Sequence, residues 1–236
     1  MKRRFRVLVL VLAAALLSLP AVPAGAASPV LTLSMDRSVY TASQTATFRS
    51  HVEAMNLTYV LQIQYPGSSE WKTLCSSVNV NTADFKCQLG LQYNMKVRAL
   101  LLDTKGTPDD TSDDTVEALV ARAVPVRSSV GTVPSGFYSR SGKYRVMGRS
   151  AAKFVSQSSP AFPGQRCIRH QVQRKKASGW RTVKTGKCVV QGKQGLVRWT
   201  WKGRHPTGVK YRVRASVAED QVNKAGVGRW VYVRFR

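Results

Sequence analysis

Residues 211–217 alternate strictly, with Tyr211, Val213, Ala215 and Val217 on one side and Arg212, Arg214 and Ser216 on the other. That period belongs to a β-strand with one face in a core and one in solvent. Such a strand cannot bury its apolar side alone; it needs a second layer against it. The pattern has an echo in residues 95–103, where Lys96-Val97-Arg98-Ala99 matches Arg212-Val213-Arg214-Ala215. One β unit is thus expected twice along the chain.

The neighbouring segments repeat in the same order. Residues 58–64 align with residues 167–173, placing His170 where the first copy has Leu61 and Gln171 where it has Gln62. Trp71-x-Thr73 then aligns with Trp180-x-Thr182. Turns are predicted at Pro66-Gly67, because Pro presets φ and Gly accepts positive φ, and at residues 176–179. Short strands with a turn about every ten residues, and no helical periodicity, predict an all-β sandwich. Strand, turn, Trp-x-Thr, hairpin and basic-Val-Arg-Ala, in that order, resemble the bacterial immunoglobulin-like and fibronectin-like β-sandwich repeats of exported actinobacterial proteins. The resemblance implies two tandem immunoglobulin-like antiparallel β-sandwiches and a binding or spacer role, and it carries over no catalytic residue. The expected boundaries are a signal peptide at 1–27, a first sandwich at 28–125 and a second at 126–236, with a Pro/Gly/Ser-rich linker over 125–136.

The leader has a basic start (Lys2, Arg3, Arg4, Arg6), an apolar run over 7–19 and small residues up to an expected cleavage at Ala26. This is a secretory pattern, too short for a comfortable membrane span, and no later segment could span a bilayer. An extracellular location, free or wall-associated, is expected. The four cysteines all follow the leader, and an even count in an exported chain reads as disulfides. A turn lies midway between Cys75 and Cys87, and another midway between Cys167 and Cys188, so each pair is predicted to close across a hairpin.

Charge separates the two copies. The formal net charge is +25, yet residues 28–125 hold 8 Lys/Arg against 10 Asp/Glu, while residues 126–236 hold 25 against only Glu219 and Asp220. The balances are therefore −2 and +23. Self-repulsion on that scale destabilises a compact state unless counterions or an anionic partner screen it. Outward positions of three strands of the second copy place Arg169, Arg212, Arg214, Trp230, Tyr232 and Arg234 on one face. Arginine forks hold phosphate or carboxylate, and aromatic rings stack on sugars, bases or guanidinium groups. The expected ligand is an anionic polymer of the cell envelope, such as teichoic or teichuronic acid, or an acidic glycan. Nucleic acid on the same surface is the first alternative.

Enzyme constellations are missing from the sequence. It contains no G-x-S-x-G, H-E-x-x-H or phosphate-cradling glycine loop, so a non-enzymatic protein without cofactor or metal is expected; a small hydrolase or inhibitor is the further alternative. His51 and Glu53 read as a surface pair, His170 as a half-buried packing residue and His205 as part of a turn. The acidic stretch Asp109, Asp110, Asp113 and Asp114 reads as a solvated loop, with Ca²⁺ binding or docking on the basic copy as alternatives.

Overall fold

A computed structural model describes residues 28–105, 112–162 and 164–236. The expected cleavage at Ala26 and the residues Asp109 and Asp110 lie outside them. The described residues contain β-strands and one short 3-10 turn, with no α-helix among them. No helix among them is long and apolar enough to cross a membrane.

The first half holds β1 (Val30–Met35), β2 (Tyr40–Thr41), β3 (Thr45–Glu53), β4 (Leu57–Gln64), β5 (Lys72–Val80), β6 (Ala83–Gly90), β7 (Met95–Asp103), β8 (Thr115–Val124) and β9 (Val126–Arg127). They form a three-stranded sheet β1-β3-β6, a four-stranded sheet β5-β4-β7-β8 and a small parallel pair β2-β9. Ala46, Phe48, Ser50 and Val52 of β3 face Tyr59, Leu61 and Ile63 of β4 and Val97, Ala99 and Leu101 of β7 across one core. Period-two alternation is what makes this possible, since it gives each sheet one apolar side.

The second half holds β10 (Ser129–Ser135), β11 (Ser139–Ser141), β12 (Tyr144–Met147), β13 (Ala151–Ser159), β14 (Cys167–Lys176), β15 (Gly179–Thr185), β16 (Val189–Val190), β17 (Leu196–Lys202), β18 (Lys210–Val217), β19 (Gly226–Val227) and β20 (Val231–Phe235). A three-stranded sheet β10-β13-β17 covers a larger one ordered β11-β12-β20-β18-β14-β15, with β16 and β19 added on β14 and β18. The inward residues include Phe154, Val172, Trp201, Tyr211, Val213 and Phe235. The duplicated strands are therefore both present: β18 pairs with β14 as β7 pairs with β4.

Two expectations need correction. The segment 125–136 is not a linker. Val126 and Arg127 pair with Tyr40 and Thr41, and Val126 is fully buried in the first core, while residues 129–135 form β10 against β13. Pro and Gly break the visible alternation there without removing the hydrogen bonds. Cys75 and Cys87 are bonded, but not across a hairpin ladder. Cys75 lies in β5, paired with β4, and Cys87 in β6, paired with β3, so the bridge joins the two sheets. Cys167 and Cys188 are also bonded, and here Cys188 precedes β16, which pairs with the start of β14 in the same sheet.

Sequence reasoning does not single out β13, the long strand that follows the short β12. A signal for it does exist. Ala46-x-Phe48-x-Ser50 of β3 recurs as Ala152-x-Phe154-x-Ser156 of β13, with all six residues buried.

Candidate functional site

The outward face of the large sheet in the second half brings the predicted residues together. Gln171 stands opposite Arg214, Gln173 opposite Arg212, Arg212 opposite Tyr232, and Lys210 opposite Arg234. Residues directly opposite in an antiparallel pair share a face, so one surface carries them all.

Arg212 is the centre of this surface. Its guanidinium lies 4.7 Å from the Trp180 ring centroid and 4.2 Å from that of Trp230. Arg214 stacks on Trp230 as well, at 4.3 Å. The ring system continues from Trp180 to Tyr232 at 5.8 Å and from Tyr232 to Tyr144 at 5.8 Å, both edge-on. Lys143 sits 4.5 Å above Tyr232, and Lys210 lies 5.7 Å from Tyr144. Each arginine is also held from the side. Nε and Nη2 of Arg212 donate to Gln173 Oε1 at 2.8 and 2.6 Å, and Nε of Arg214 donates to Gln171 Oε1 at 3.0 Å. The remaining guanidinium donors have no protein partner among the described residues. The planar cations are thus oriented before any ligand arrives, which reduces the ordering entropy of binding.

Of the predicted residues, Arg212, Arg214, Trp230 and Tyr232 belong to this stacked array. Arg169, opposite Ser216, and Arg234 flank it on the same face by register. Trp180 is the member that sequence reasoning did not place there. Its signal was the matched Trp71: in the first half, Arg98 lies 4.2 Å over Trp71 and donates to Gln62 Oε1 at 2.8 Å. Gln62, Arg98 and Trp71 are a reduced version of the same unit, with one stacked arginine instead of two.

Charge around the face is unscreened by acids. No strand of the second half contains Asp or Glu. Glu219 pairs with Lys224 and Asp220 with Arg166, both in the loop between β18 and β19. That loop builds the joint. Arg166, buried, also donates to Ser128 Oγ at 2.9 Å and stacks on Phe162 at 4.3 Å. Asp220 Oδ1 accepts from the Val222 and Asn223 amides at 2.9 and 2.8 Å. Asn223 is fully buried and donates to the Gln92 and Val126 carbonyls at 2.9 and 3.2 Å. Burial pushes the Asp220 carboxyl up, but hydrogen bonds from the Asn223 amide, Arg166 and the Val222 amide together outweigh it and hold its pKa below the usual range.

Each of the three histidines has its own partners. His51 binds Asp84 Oδ1 through Nδ1 at 2.8 Å and Glu53 Oε1 through Nε2 at 3.3 Å, and the bonds to both carboxylates raise its pKa. The expected surface pair with Glu53 is present with Asp84 added. His170 is fully buried rather than half-buried. It is stacked on Trp199 at 4.6 Å and bonded to Ser156 Oγ at 2.8 Å through Nε2, and burial lowers its pKa to about 4. His205 is buried between Trp201 and Phe235, and burial lowers its pKa too. No group of three or more His, Cys, Asp or Glu able to hold a metal occurs among the described residues. The expected alternatives for the acidic loop fall partly outside them.

No family model matches the chain, and no curated protein matches it. Solved structures resemble it distantly. Salmonella α2-macroglobulin reacted with methylamine is 11% identical with a TM-score of 0.31, over 88% of this chain and 17% of that one. A DUF4785 family protein from Legionella pneumophila is 10% identical with a TM-score of 0.40, over 80% of this chain and 52% of that one. Red sea bream transglutaminase is 11% identical with a TM-score of 0.37, over 87% and 31%. This chain therefore spans about half or less of the length of each. Likeness at this level assigns it neither a family nor an activity.

Proposed function

We propose that this is an exported, non-enzymatic binding protein built as two immunoglobulin-like sandwiches. The basic second half holds an anionic polymer of the cell envelope, with phosphate or carboxylate groups seated on the guanidinium edges of Arg212 and Arg214. The first half serves as a spacer or a partner-binding module. The leader pattern and two disulfides support export. One observation carries the binding reading: two arginines are clamped by Trp180, Trp230 and paired glutamines while donors remain open, on a face without acids. A purely structural arginine ladder would need neither the surrounding Lys143, Lys210, Arg169 and Arg234 nor a +23 balance.

The experiment uses the full mature chain and purified cell wall, intact or stripped of its anionic polymer, across a salt series. Retention on intact wall, its loss on stripped wall and its steep decline with salt are expected. Equal retention on both walls would sink the reading. Duplex DNA added at equal phosphate should displace the protein only partly; complete displacement would favour nucleic acid as the ligand.

A further inference from the structure

The second half has another acid-free basic surface, on the side opposite the stacked array. It is the outer face of the sheet β10-β13-β17. In β13 the inward residues are Ala152, Phe154, Ser156 and Ser158, so Lys153 points out; in β17 Val197 and Trp201 point in, so Arg198 and Lys202 point out. Register places Lys153 opposite Thr200, with Arg198 and Lys202 two residues to either side of it. All three side chains are exposed. At the sheet end nearest Lys202, Arg149 and Arg204 line a hollow of about 440 Å³.

The same molecule supplies a comparison. The equivalent sheet of the first half, β1-β3-β6, carries mixed charge on its outer face: Arg49 stands opposite Lys86, and His51 opposite Asp84, with Glu53 beside them. By the match of β3 to β13, the positions of Lys153, Arg198 and Lys202 are held there by Thr47, Lys86 and Gly90, so only one of the three cations recurs, and Asp84 and Glu53 add negative charge to the same face. Only the second half keeps both outer faces basic.

The two basic faces cannot serve one binding event. A packed apolar core lies between them, and stacked sheets are about 10 Å apart before side chains are added. They also differ in kind. The large-sheet face presents prestacked guanidinium groups, while on the small sheet Trp199 and Trp201 turn inward against His170 and Tyr211, leaving charge alone.

We infer that the second half is bivalent for polyanions and cross-links two polymer strands, one held by the Arg212–Arg214 array and one by Lys153, Arg198 and Lys202 on the opposite face. This rests on the polyanion-binding reading above. The charge-only face is the weaker and more salt-sensitive of the two, because it lacks the ring contacts.

Inorganic polyphosphate is a suitable probe, short and fluorescein-labelled for binding by anisotropy, long for cross-linking by light scattering. The full chain should bind the short probe, and with the long probe should scatter most at an intermediate ratio and clear when either component is in excess. Scattering should vanish at lower salt than binding. Lys153→Glu with Arg198→Glu and Lys202→Glu should abolish scattering while short-probe affinity falls less than about tenfold, in line with the loss of long-range attraction alone. The neutral set Lys153→Gln, Arg198→Gln and Lys202→Gln gives the same reading if the charge reversals impair folding. A wild-type chain that binds the short probe but never scatters with the long one overturns the inference and leaves the binding proposal standing. Unchanged scattering by both variants also overturns it. No binding of either probe removes the binding proposal itself.

Discussion

Arg212 is the side chain on which the packing of the basic face converges. It lies in contact with two indole rings and donates twice to one glutamine oxygen. A lysine keeps the charge but not the plane or the fork. Arg212→Lys should therefore destabilise the second half by about 1–2 kcal/mol, through one weakened charge-assisted bond and two weakened ring contacts. Arg214→Lys should cost less, since Arg214 meets only Trp230; urea denaturation of both variants checks the order. His170 belongs to the same scale. Its folded pKa of about 4 lies below the ordinary value of 6.5, so the unfolded chain takes up a proton that the folded chain refuses. Stability is then full above about pH 6.5 and declines as the pH falls toward 4, by roughly 2–3 kcal/mol in all. His170→Leu, which restores the residue of the first copy, should remove most of that decline, read as the urea midpoint at pH 7 against pH 4.5. An unchanged pH dependence in the variant would place the effect elsewhere, with His205 the next candidate.

Among the elements, the two disulfides do different work. Cys167–Cys188 secures the start of β14 within its own sheet, whereas Cys75–Cys87 ties one sheet of the first half to the other. Replacing Cys75 and Cys87 together by Ser should cost about 3 kcal/mol, the closure entropy of a loop of that length. Trp71 is the sole tryptophan of the first half, so in a Trp71→Phe background the remaining tryptophans report the second half alone, and their midpoint should hold while the far-ultraviolet transition of the first half shifts. β19 offers a sharper test of packing. A Cβ on Gly226 would run into the Ser128 carbonyl, and one on Gly228 would lie 2.6 Å from the Val130 oxygen. Gly226→Ala should destabilise by about 1–3 kcal/mol, as expected for overpacking against backbone, measured by thermal denaturation.

Over the whole molecule the joint decides how the halves sit. Val126 and Arg127 pair with the first half, Ser128 is held by Arg166 and Lys224, and residue 129 already begins β10. Asn223 fills the space between, and the Asn94 amide donates to the Val222 carbonyl at 2.8 Å. Asn223→Ala removes the side-chain donor of the part-buried Gln92 carbonyl and one of two donors of the Val126 carbonyl, which keeps the Lys224 amide, at about 1–2 kcal/mol in all. Its expected result is a looser joint, seen as faster tryptic cleavage after Arg127 with both halves still folded. Unchanged cleavage would show that the remaining backbone pairs suffice. Such a joint suits a protein that presents a basic half at a set angle from a neutral one.

Alternation and repetition along the chain were enough to determine that the protein is all β, which residues of β14, β18 and β20 face outward, and that the excess of positive over negative charge after the leader lies in the second half. Those properties are local: side chains two apart share a face, and a count of charges needs no coordinates. Partnership between distant segments was not available in that way. That Cys75 and Cys87 span two sheets, that residues 126–135 are strands, and that Trp180 closes over Arg212 from a hairpin more than thirty residues away all depend on which strands pair. Pairing is settled by burying every apolar face at once while leaving few backbone groups unbonded, a condition on the assembled molecule that no single stretch of sequence contains.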